Sequence, residues 1–449
     1  MNSTVQNLIE NYHDLLTDKH LDSTVSGLSE ATKQFALTVA GRPVCNVLRP
    51  LFLTKDSYKK IWNASHIVMQ SFRVLAGRLM TDENLRKKLN LTPEAEEVIQ
   101  IDTGFGAADV SSRLDGFWGP EDTFYFVEYN ADSPGGIGFG DVLAEVFLSL
   151  PIMKEISRSV LVQSIPVRQR TFEALMNAYL NWGGKNLPAI AIVDWKEAVT
   201  YNEFLIMQDQ FQRNGCSVII ADPSELELRN GTLYAAGQAV QLVYKRVVSN
   251  ELIERCGLQH PLIEAVRTRA VCMANGFAVQ MLFNKMLFAF LSDPAYGIVS
   301  AASRPLIDQH IPWTRTVQEC KTIYEKSEVD LLPFISEQRE KFVLKPVSEY
   351  GGKGVVLGWE CSNEEWNLTL QSALSSSYVV QERVPISREL YPAYVNGRLT
   401  IDFRYFDLDP YVWEGMNPEG CGVRLSRAAL LNVSAGGGSA TPMLIVGQS

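Results

Sequence analysis

The stretch SSRLDGFWGPEDTFYFVEYNADSPGG at residues 111–136 combines two strand-like runs with several oxygen-bearing side chains. β-Branched and aromatic residues are frequent in both runs, which predicts two β-strands. Glu128 and Asn130 are separated by one residue, so on a strand both side chains point to the same face. Asp115 lies on the preceding run and can pair beside them. The sequence therefore predicts three oxygen donors on one face of a sheet.

These oxygen donors suggest a site for a divalent cation. Hard cations such as Mg²⁺ take oxygen ligands and leave coordination positions for phosphates. Arg113 lies two residues before Asp115, on the same face, where it can reach a phosphoryl group during transfer. The alternative is a solvated strand face with an ordinary arginine–carboxylate pair, and the buried-looking run TFYFV at 123–127 disfavours it.

A second stretch, VLKPVSEYGGKGVVLG at residues 343–358, predicts a hairpin with a glycine-rich turn. Glycines let backbone N–H groups approach phosphate oxygens closely, because no Cβ intervenes. Lys345, at the end of the first strand, supplies a positive charge for a phosphate. The stretch is not a P-loop, since G-x-x-x-x-G-K-[ST] is absent. A plain surface hairpin is the alternative.

Further patterns add candidate contacts. YVVQERV at residues 378–384 is a hydrophobic strand leading to polar residues; it can hold an adenine, although ordinary edge strands share this pattern. Lys285 lies inside the apolar run MLFNKMLFAFL, which predicts a helix in which the lysine has a partner or extends to solvent. Arg404, Arg424 and Arg427 form a candidate anion-handling surface, and plain surface arginines are the alternative.

The rest of the chain predicts two further regions. Residues 1–100 carry apolar residues at three- and four-residue spacing, which is typical of helices. Residues 188–248 alternate strand and helix, which predicts a parallel, Rossmann-like sheet without a dinucleotide fingerprint. Lys245 and Arg246, at the end of its third strand, are candidate ligands for a carboxylate.

Composition limits the class of protein. The 449 residues are 46% hydrophobic and 20% charged, as in soluble globular proteins, and the net charge is −10. An acidic chain without basic runs binds nucleic acid poorly, because phosphate neutralisation needs clustered Lys and Arg. No signal peptide or membrane-length apolar run is evident, and the scattered cysteines favour a reducing compartment. We expect a cytoplasmic protein without nucleic-acid or membrane partners; its oligomeric state stays open.

Taken together, these motifs resemble the ATP-grasp superfamily, and especially its circularly permuted members, glutathionylspermidine synthetase and eukaryotic-type glutathione synthetase. SRLD followed by FVEYNADSPGG is similar to the R-x-D…E-x-N-x-D-x-P signature of glutathionylspermidine synthetases, and LKPVSEYGGKGV resembles the phosphate loop. The oxygen donors precede the glycine loop here, the reverse of the ordinary order, and a circular permutation explains that. The resemblance covers residues 100–449.

The resemblance implies a role for each candidate residue. It implies a catalytic pair facing the transferred phosphoryl group, Arg113 and Arg424. It implies magnesium ligands that are all oxygen donors: Asp115, Glu128, Asn130 and Glu349. It implies nucleotide contacts from two lysines, the glycine loop and the strand at 378–384: Lys285, Lys345, Gly351, Gly352, Gly354, Gln381, Glu382 and Val384.

The implied fold class is α/β (α+β), a circularly permuted ATP-grasp core with a Rossmann-like pre-ATP-grasp domain and N-terminal helices. Five regions follow in chain order: an N-terminal helical region (1–98), the metal-triad part of the core (99–187), a Rossmann-like substrate domain (188–260), a nucleotide subdomain with a glycine-rich lid (261–390) and a return to the core (391–449).

The implied activity is ADP-forming ligation of a small-molecule carboxylate and an amine through an acylphosphate, with ATP and Mg²⁺ as cofactors. Two alternatives stay open. One is a non-catalytic nucleotide-binding protein on the same fold. The other is a phosphotransferase that stops at the phosphorylated product.

Overall fold

The computed structural model of the chain describes residues 3–106, 108–431 and 438–448 and mixes helices with sheets, an α/β architecture. The helices are α1 (Ser3–Leu15), α2 (Leu21–Gln34), α3 (Lys55–Thr81), α4 (Glu83–Lys87), α5 (Pro93–Val98), α6 (Ile137–Ser149), α7 (Pro151–Ile156), α8 (Val167–Trp182), α9 (Tyr201–Arg213), α10 (Ser249–Cys256), α11 (Pro261–Arg267), α12 (Val279–Phe283), α13 (Met286–Ser292), α14 (Arg304–His310), α15 (Leu331–Glu337) and α16 (Asn363–Ser375). None of these described helices is long and apolar enough to cross a membrane.

The strands, in chain order, are β1 (Thr38–Val39), β2 (Arg42–Pro43), β3 (Leu51–Thr54), β4 (Ser111–Trp118), β5 (Phe124–Asn130), β6 (Val160–Gln163), β7 (Ala189–Val193), β8 (Ser217–Ala221), β9 (Leu226–Arg229), β10 (Thr232–Ala235), β11 (Gln238–Val240), β12 (Leu242–Lys245), β13 (Cys272–Ala274), β14 (Thr314–Thr316), β15 (Lys321–Tyr324), β16 (Ser327–Asp330), β17 (Phe342–Pro346), β18 (Val356–Leu357), β19 (Tyr378–Glu382), β20 (Arg388–Val395), β21 (Arg398–Phe406), β22 (Asp409–Trp413), β23 (Asn417–Gly422), β24 (Arg424–Ser426), β25 (Gly438–Ala440) and β26 (Met443–Gln448). The prediction of helices in residues 1–100 is confirmed by α1–α5, although this region also contains three short strands.

The parallel sheet predicted within residues 188–248 is confirmed. Its order is β13-β12-β7-β8, and every pair in it is parallel. Buried apolar side chains fill both of its faces, for example Ile190 on one face and Ala191 on the other, as expected for a parallel sheet covered on two sides. Because carboxyl ends of parallel strands share one edge, β7 and β12 end side by side at Val193 and Lys245.

The two strands of the opening motif, β4 and β5, are neighbours in an antiparallel sheet with order β23-β22-β4-β5, in which β5 is an edge strand. In its register Asp115 lies opposite Glu128 and Arg113 lies opposite Asn130. Residues of alternate positions, such as Leu114, are buried against the long helix α3. This alternation leaves the polar side chains on the other face, as the sequence predicts.

The glycine-rich hairpin belongs to a second antiparallel sheet, ordered β14-β19-β17-β18. β17 and β18 pair on either side of the loop, which confirms the predicted hairpin. Gly351, Gly352 and Gly354 all have positive φ angles of 65°, 76° and 72°, a backbone region that side chains with a Cβ rarely adopt. The loop conformation therefore depends on glycine.

Segments far apart in sequence meet in the first of two further sheets. β3, near the N-terminus, pairs in parallel with β26, near the C-terminus, and β6 flanks β26 on its other side. The other sheet is ordered β20-β21-β24-β25. The circular permutation and the five domain boundaries stay predictions.

One buried ion pair ties the N-terminal region to this last sheet. Arg49 is fully buried and donates to Glu389 Oε2 at 2.8 Å and to the Leu390 carbonyl at 3.1 Å. Its guanidinium also lies 4.0 Å from the centre of the Tyr391 ring. Removing one member of such a pair leaves an uncompensated buried charge.

We therefore expect Glu389→Gln to lower the free energy of unfolding by about 3 kcal/mol, measured by urea denaturation. The matched control is Asp402→Asn, which breaks the exposed Arg427–Asp402 pair and should cost below about 1 kcal/mol. Equal losses in the two variants would contradict a special role for the buried pair.

Candidate active site

A cavity of about 590 Å³ lies between the two antiparallel sheets, the glycine-rich loop and the carboxyl edge of the parallel sheet. Nearly all predicted site residues line it: Arg113, Asp115, Glu128, Asn130, Lys285, Lys345, Glu349, Gly351, Gly352, Gln381, Glu382, Val384 and Arg424. Gly354 is not on its wall, because a Cβ there would face Pro346 and Tyr378 instead. The fold thus brings the two separate motifs to one cleft, while the role of each residue stays a prediction.

Two arginines hold Asp115 from opposite sides. Arg113 donates from Nε to Oδ1 at 2.7 Å and from Nη2 to Oδ2 at 3.0 Å, a bidentate pair. Arg424 donates to the same Oδ2 at 2.7 Å, and Asn130 donates to Oδ1 at 2.9 Å. Burial alone would raise the pKa of Asp115, but the two guanidinium groups outweigh burial and lower it. Asp115 is therefore ionised at neutral pH.

Two more buried aspartates complete this cluster, and the sequence analysis missed both. Asp407 accepts from Arg424 Nε at 2.8 Å, and Asp409 Oδ2 lies 3.0 Å from the same nitrogen. Burial raises the pKa of each carboxyl group, and the Arg424 charge offsets only part of that. Two arginines thus face three carboxyl groups, so the excess negative charge favours protonation of either Asp407 or Asp409. The D-x-D pattern at 407–409 is the sequence signal that could have identified these two aspartates.

Lys285 lies at a break between helices, so the prediction that it lies within one helix is wrong. α12 ends at Phe283, Asn284 has an extended backbone, and α13 begins at Met286. Asn284 accounts for the break, because its side-chain oxygen accepts from the Met286 N–H at 2.9 Å and competes with helical bonding.

The break turns the Lys285 side chain into the cavity, where it is only 5% exposed. It lies 2.9 Å from Glu128 Oε1 and donates to the Glu349 carbonyl at 2.5 Å. The lysine therefore has buried partners and does not extend to solvent. It links the oxygen donors of β5 directly to the glycine-rich loop.

Lys345 projects from β17 toward the same acids. It donates to the Val127 carbonyl at 3.1 Å and to Gln381 Oε1 at 2.7 Å. Burial lowers its pKa to about 8, with Glu128 raising it and Lys285 lowering it further. Most of the population is still charged at neutral pH, in a setting where an added anion would be strongly favoured.

The strand at 378–384 forms one wall of the cavity. Gln381 donates to Thr314 Oγ1 at 3.1 Å, which fixes its amide in the orientation that accepts from Lys345. Glu382 accepts from the Tyr324 hydroxyl at 2.7 Å. Burial raises the pKa of Glu382, partly offset by that hydrogen bond. Val384 adds an apolar surface beside these polar groups.

The other lysine and arginine residues named in the sequence analysis differ in whether they line the cavity. Lys245 is buried in an ion pair with Asp132, which rules it out as a free ligand of a carboxylate. Arg246 does line the cavity, donating to the Pro134 carbonyl at 2.6 Å, with Glu203 Oε2 3.9 Å away. Arg404 and Arg427 do not line it, so Arg424 is the member of the predicted trio at this site.

The oxygen donors predicted for Mg²⁺ lie on the cavity wall. Lys285 pairs with Glu128 through Oε1, and the Asn130 amide donates from its nitrogen to Asp115. Hard oxygen donors of this kind suit Mg²⁺, which commonly uses one or two carboxylates plus substrate phosphates. Across the described ranges, no three His, Cys, Asp or Glu side chains are arranged to hold a metal ion.

Comparison of the whole structure with known structures identifies the fold. The chain matches a glutathione synthetase-like effector from Globodera pallida with a TM-score of 0.58, over 95% of this chain and 93% of the other, at 12% sequence identity. The fold is glutathione synthetase-like. This likeness applies to the fold alone, and no protein-family model matches the sequence.

Sequence comparison adds two curated relatives. Putative glutamate–cysteine ligases from Frankia casuarinae and Frankia alni are each 24% identical to this chain, over 273 and 272 residues respectively. Each match covers 56% of this chain but only 29% of the relative, so the chain spans under a third of their length.

The aspartate–arginine cluster predicts a pH-dependent loss of stability in Arg424→Gln. Without this guanidinium the pKa values of Asp407 and Asp409 rise further above their unfolded values. The folded state therefore loses stability at pH values at which these carboxyl groups are ionised in the unfolded chain. The penalty disappears as pH falls below the unfolded pKa of about 4. We expect a loss of about 3 kcal/mol at pH 8 and a clearly smaller loss at pH 5, by urea denaturation.

Arg427→Gln is the matched control, because Arg427 is exposed and pairs with exposed Asp402. It should cost little at either pH. A loss in Arg424→Gln that is the same at pH 5 and pH 8 would contradict the proposed charge balance.

Proposed function

We propose that this protein is an ATP-dependent, ADP-forming carboxylate–amine ligase that works through an acylphosphate. One observation carries the proposal: two lysines, a glycine-rich loop, a bidentate arginine and an oxygen-donor trio, from distant parts of the chain, line one cavity. That combination suits a triphosphate better than any other common ligand, because it pairs cations and backbone N–H groups with ligands for a divalent ion.

The nucleotide would lie between β17, β19 and the glycine-rich loop. Gln381 and Val384 offer the adenine a polar edge beside an apolar surface. Lys285 and Lys345 would contact the phosphates, and both are already desolvated. A desolvated cation binds an anion more strongly than an exposed one, because fewer water contacts are lost.

The oxygen donors fit a magnesium ion bound together with the phosphates. Asp115, Glu128 and Asn130 would hold it, with Glu349 reaching in from the loop, where it now pairs with Lys353 at 3.2 Å. Bound there, the ion would neutralise phosphate charge and orient the γ-phosphoryl group.

The reaction itself needs positioning and charge stabilisation. The acid substrate's carboxylate attacks the γ-phosphorus of ATP, ADP leaves, and an acylphosphate forms. The amine then attacks the carbonyl carbon, and phosphate leaves from the tetrahedral intermediate. Arg113 and Arg424 are fixed by three carboxyl groups, so they can stabilise the developing charges without reorganising. The glycine-rich loop would exclude water from the acylphosphate.

The amine would approach from the parallel sheet. Asp194 lies at the carboxyl end of β7, on the cavity wall, and accepts from the Trp195 N–H at 2.8 Å. Burial raises its pKa to about 6, partly offset by Arg246. At pH 7.5 it is ionised, so it can attract an ammonium group and take up a proton as the amine attacks.

The test is ADP release from ATP and Mg²⁺ with pooled carboxylates and amines. We expect release that needs a carboxylate, and a hydroxamate when hydroxylamine replaces the amines. A stable phosphorylated product without amine dependence would indicate a phosphotransferase. ATP binding without ADP release would indicate a non-catalytic nucleotide-binding protein.

Glu128→Gln sharpens this test. It keeps the size of the side chain but removes its charge, so we expect ADP release to fall by about two to three orders of magnitude, with the fold intact by circular dichroism. The melting temperature should also fall, because the buried Lys285 loses its partner charge. Glu328→Gln is the matched control, because Glu328 is exposed and pairs with exposed Lys321 at 3.0 Å. Undiminished turnover in Glu128→Gln would refute its assignment.

A further inference from the structure

Part of the cavity wall serves neither the nucleotide nor the proposed amine. It lies between helix α6 and the two segments 39–44 and 440–443. We call it the apolar arm and define it by the following lining residues: Val39, Val44, Phe139, Gly140, Ala144 and Met443.

The wall of the arm is packed into the hydrophobic core. Val39, Val44 and Phe139 are at most 6% exposed and belong to one packed core cluster, with Ala440 packed against it. Such a wall does not collapse to fill the space, because its side chains are already held by the core behind them.

The arm also lacks a free charge. Asp141 is the ionisable residue in this part of the described wall, and it is already neutralised. Its Oδ2 accepts from the Arg168 backbone N–H at 3.2 Å and from Arg168 Nε at 2.8 Å. A polar or charged ligand group placed here would lose its water contacts without gaining partners.

The arm begins beside the proposed catalytic arginine. In the β24–β25 pair, Arg424 lies directly opposite Ala440, and the Ala440 N–H donates to the Val44 carbonyl at 2.7 Å. A group attached to the carbonyl carbon that reacts at Arg424 can therefore extend into the arm. The amine side, at Asp194, belongs to a different wall of the cavity.

From this geometry we infer that the carboxylate substrate carries an apolar side chain or acyl chain, which lies in the apolar arm along α6. The inference rests on the proposed function in one respect: the apolar carboxylate is the acid that ATP activates. The binding of an apolar carboxylate can be measured without any turnover.

Gly140 offers a direct way to fill the arm. A Cβ at this position would meet no atom within 4 Å, and its backbone is helical without a positive φ. A larger residue would therefore project into open cavity and would also improve helix propensity. Gly77 is the matched control, since it lies in helix α3, also with open space around a Cβ, and is exposed and outside the cavity.

The experiment is calorimetric titration of the full chain, without ATP, with octanoate and 4-phenylbutyrate against acetate and succinate. We expect the two apolar acids to bind at least about 100-fold more tightly than acetate, given the number of methylene groups buried. Gly140→Leu should weaken their binding by about tenfold or more, since pocket shape discriminates at the level of single methylenes. Gly77→Leu should leave it unchanged.

If Gly140→Leu does not fold, Gly140→Ala replaces it in the experiment. Gly140→Ala should weaken the binding of 4-phenylbutyrate more than the binding of octanoate. Equal binding of apolar and short acids, or equal behaviour of the Gly140 and Gly77 variants, would overturn the inference. Failure of the proposed function has a different signature: the apolar acids bind, but no hydroxamate or ADP forms.

Discussion

The structure depends on the burial of three aspartates around two arginines. Asp115 lies on β4, Asp409 begins β22 and Asp407 lies in the connection just before it. Their charges could not share one buried region without Arg113 and Arg424. The cluster therefore fixes how the sheet containing β4 and β22 meets the strand β24. Every other feature of the cavity is positioned relative to that junction.

The same cluster explains why the site suits a reaction in which negative charge develops in the transition state. Guanidinium groups that are held rigidly by carboxylates need little reorganisation when negative charge develops nearby. Lys285 and Lys345 are similarly pre-positioned, through Glu128 and Gln381. Under the proposed function, the cavity around them divides into a wall for the nucleotide, an acidic wall at Asp194 for the amine and the apolar arm for the acid. This division gives each proposed reactant a separate surface of matching chemistry.

Much of this site could be predicted from local sequence patterns. Strand alternation placed Asp115, Glu128 and Asn130 on one face, and a glycine-rich turn between apolar runs predicted the hairpin. Lys285 was misplaced because an apolar run does not distinguish one helix from two, and Asn284 creates the break. Asp407 and Asp409 were missed because their meaning depends on Arg424, a tertiary contact that no local pattern carries. The position of Gly354 away from the cavity also depends on tertiary packing, so the local sequence could not predict it.

We propose that one triphosphate lies between the glycine-rich loop and the oxygen donors of β4 and β5. Photolabelling with 8-azido-ATP, followed by peptide mapping, is the sharpest test of this position. We expect adducts on the strand and turn at residues 378–386, and their loss when unlabelled ATP competes. Adducts confined to other surfaces, or labelling that ATP does not reduce, would contradict it.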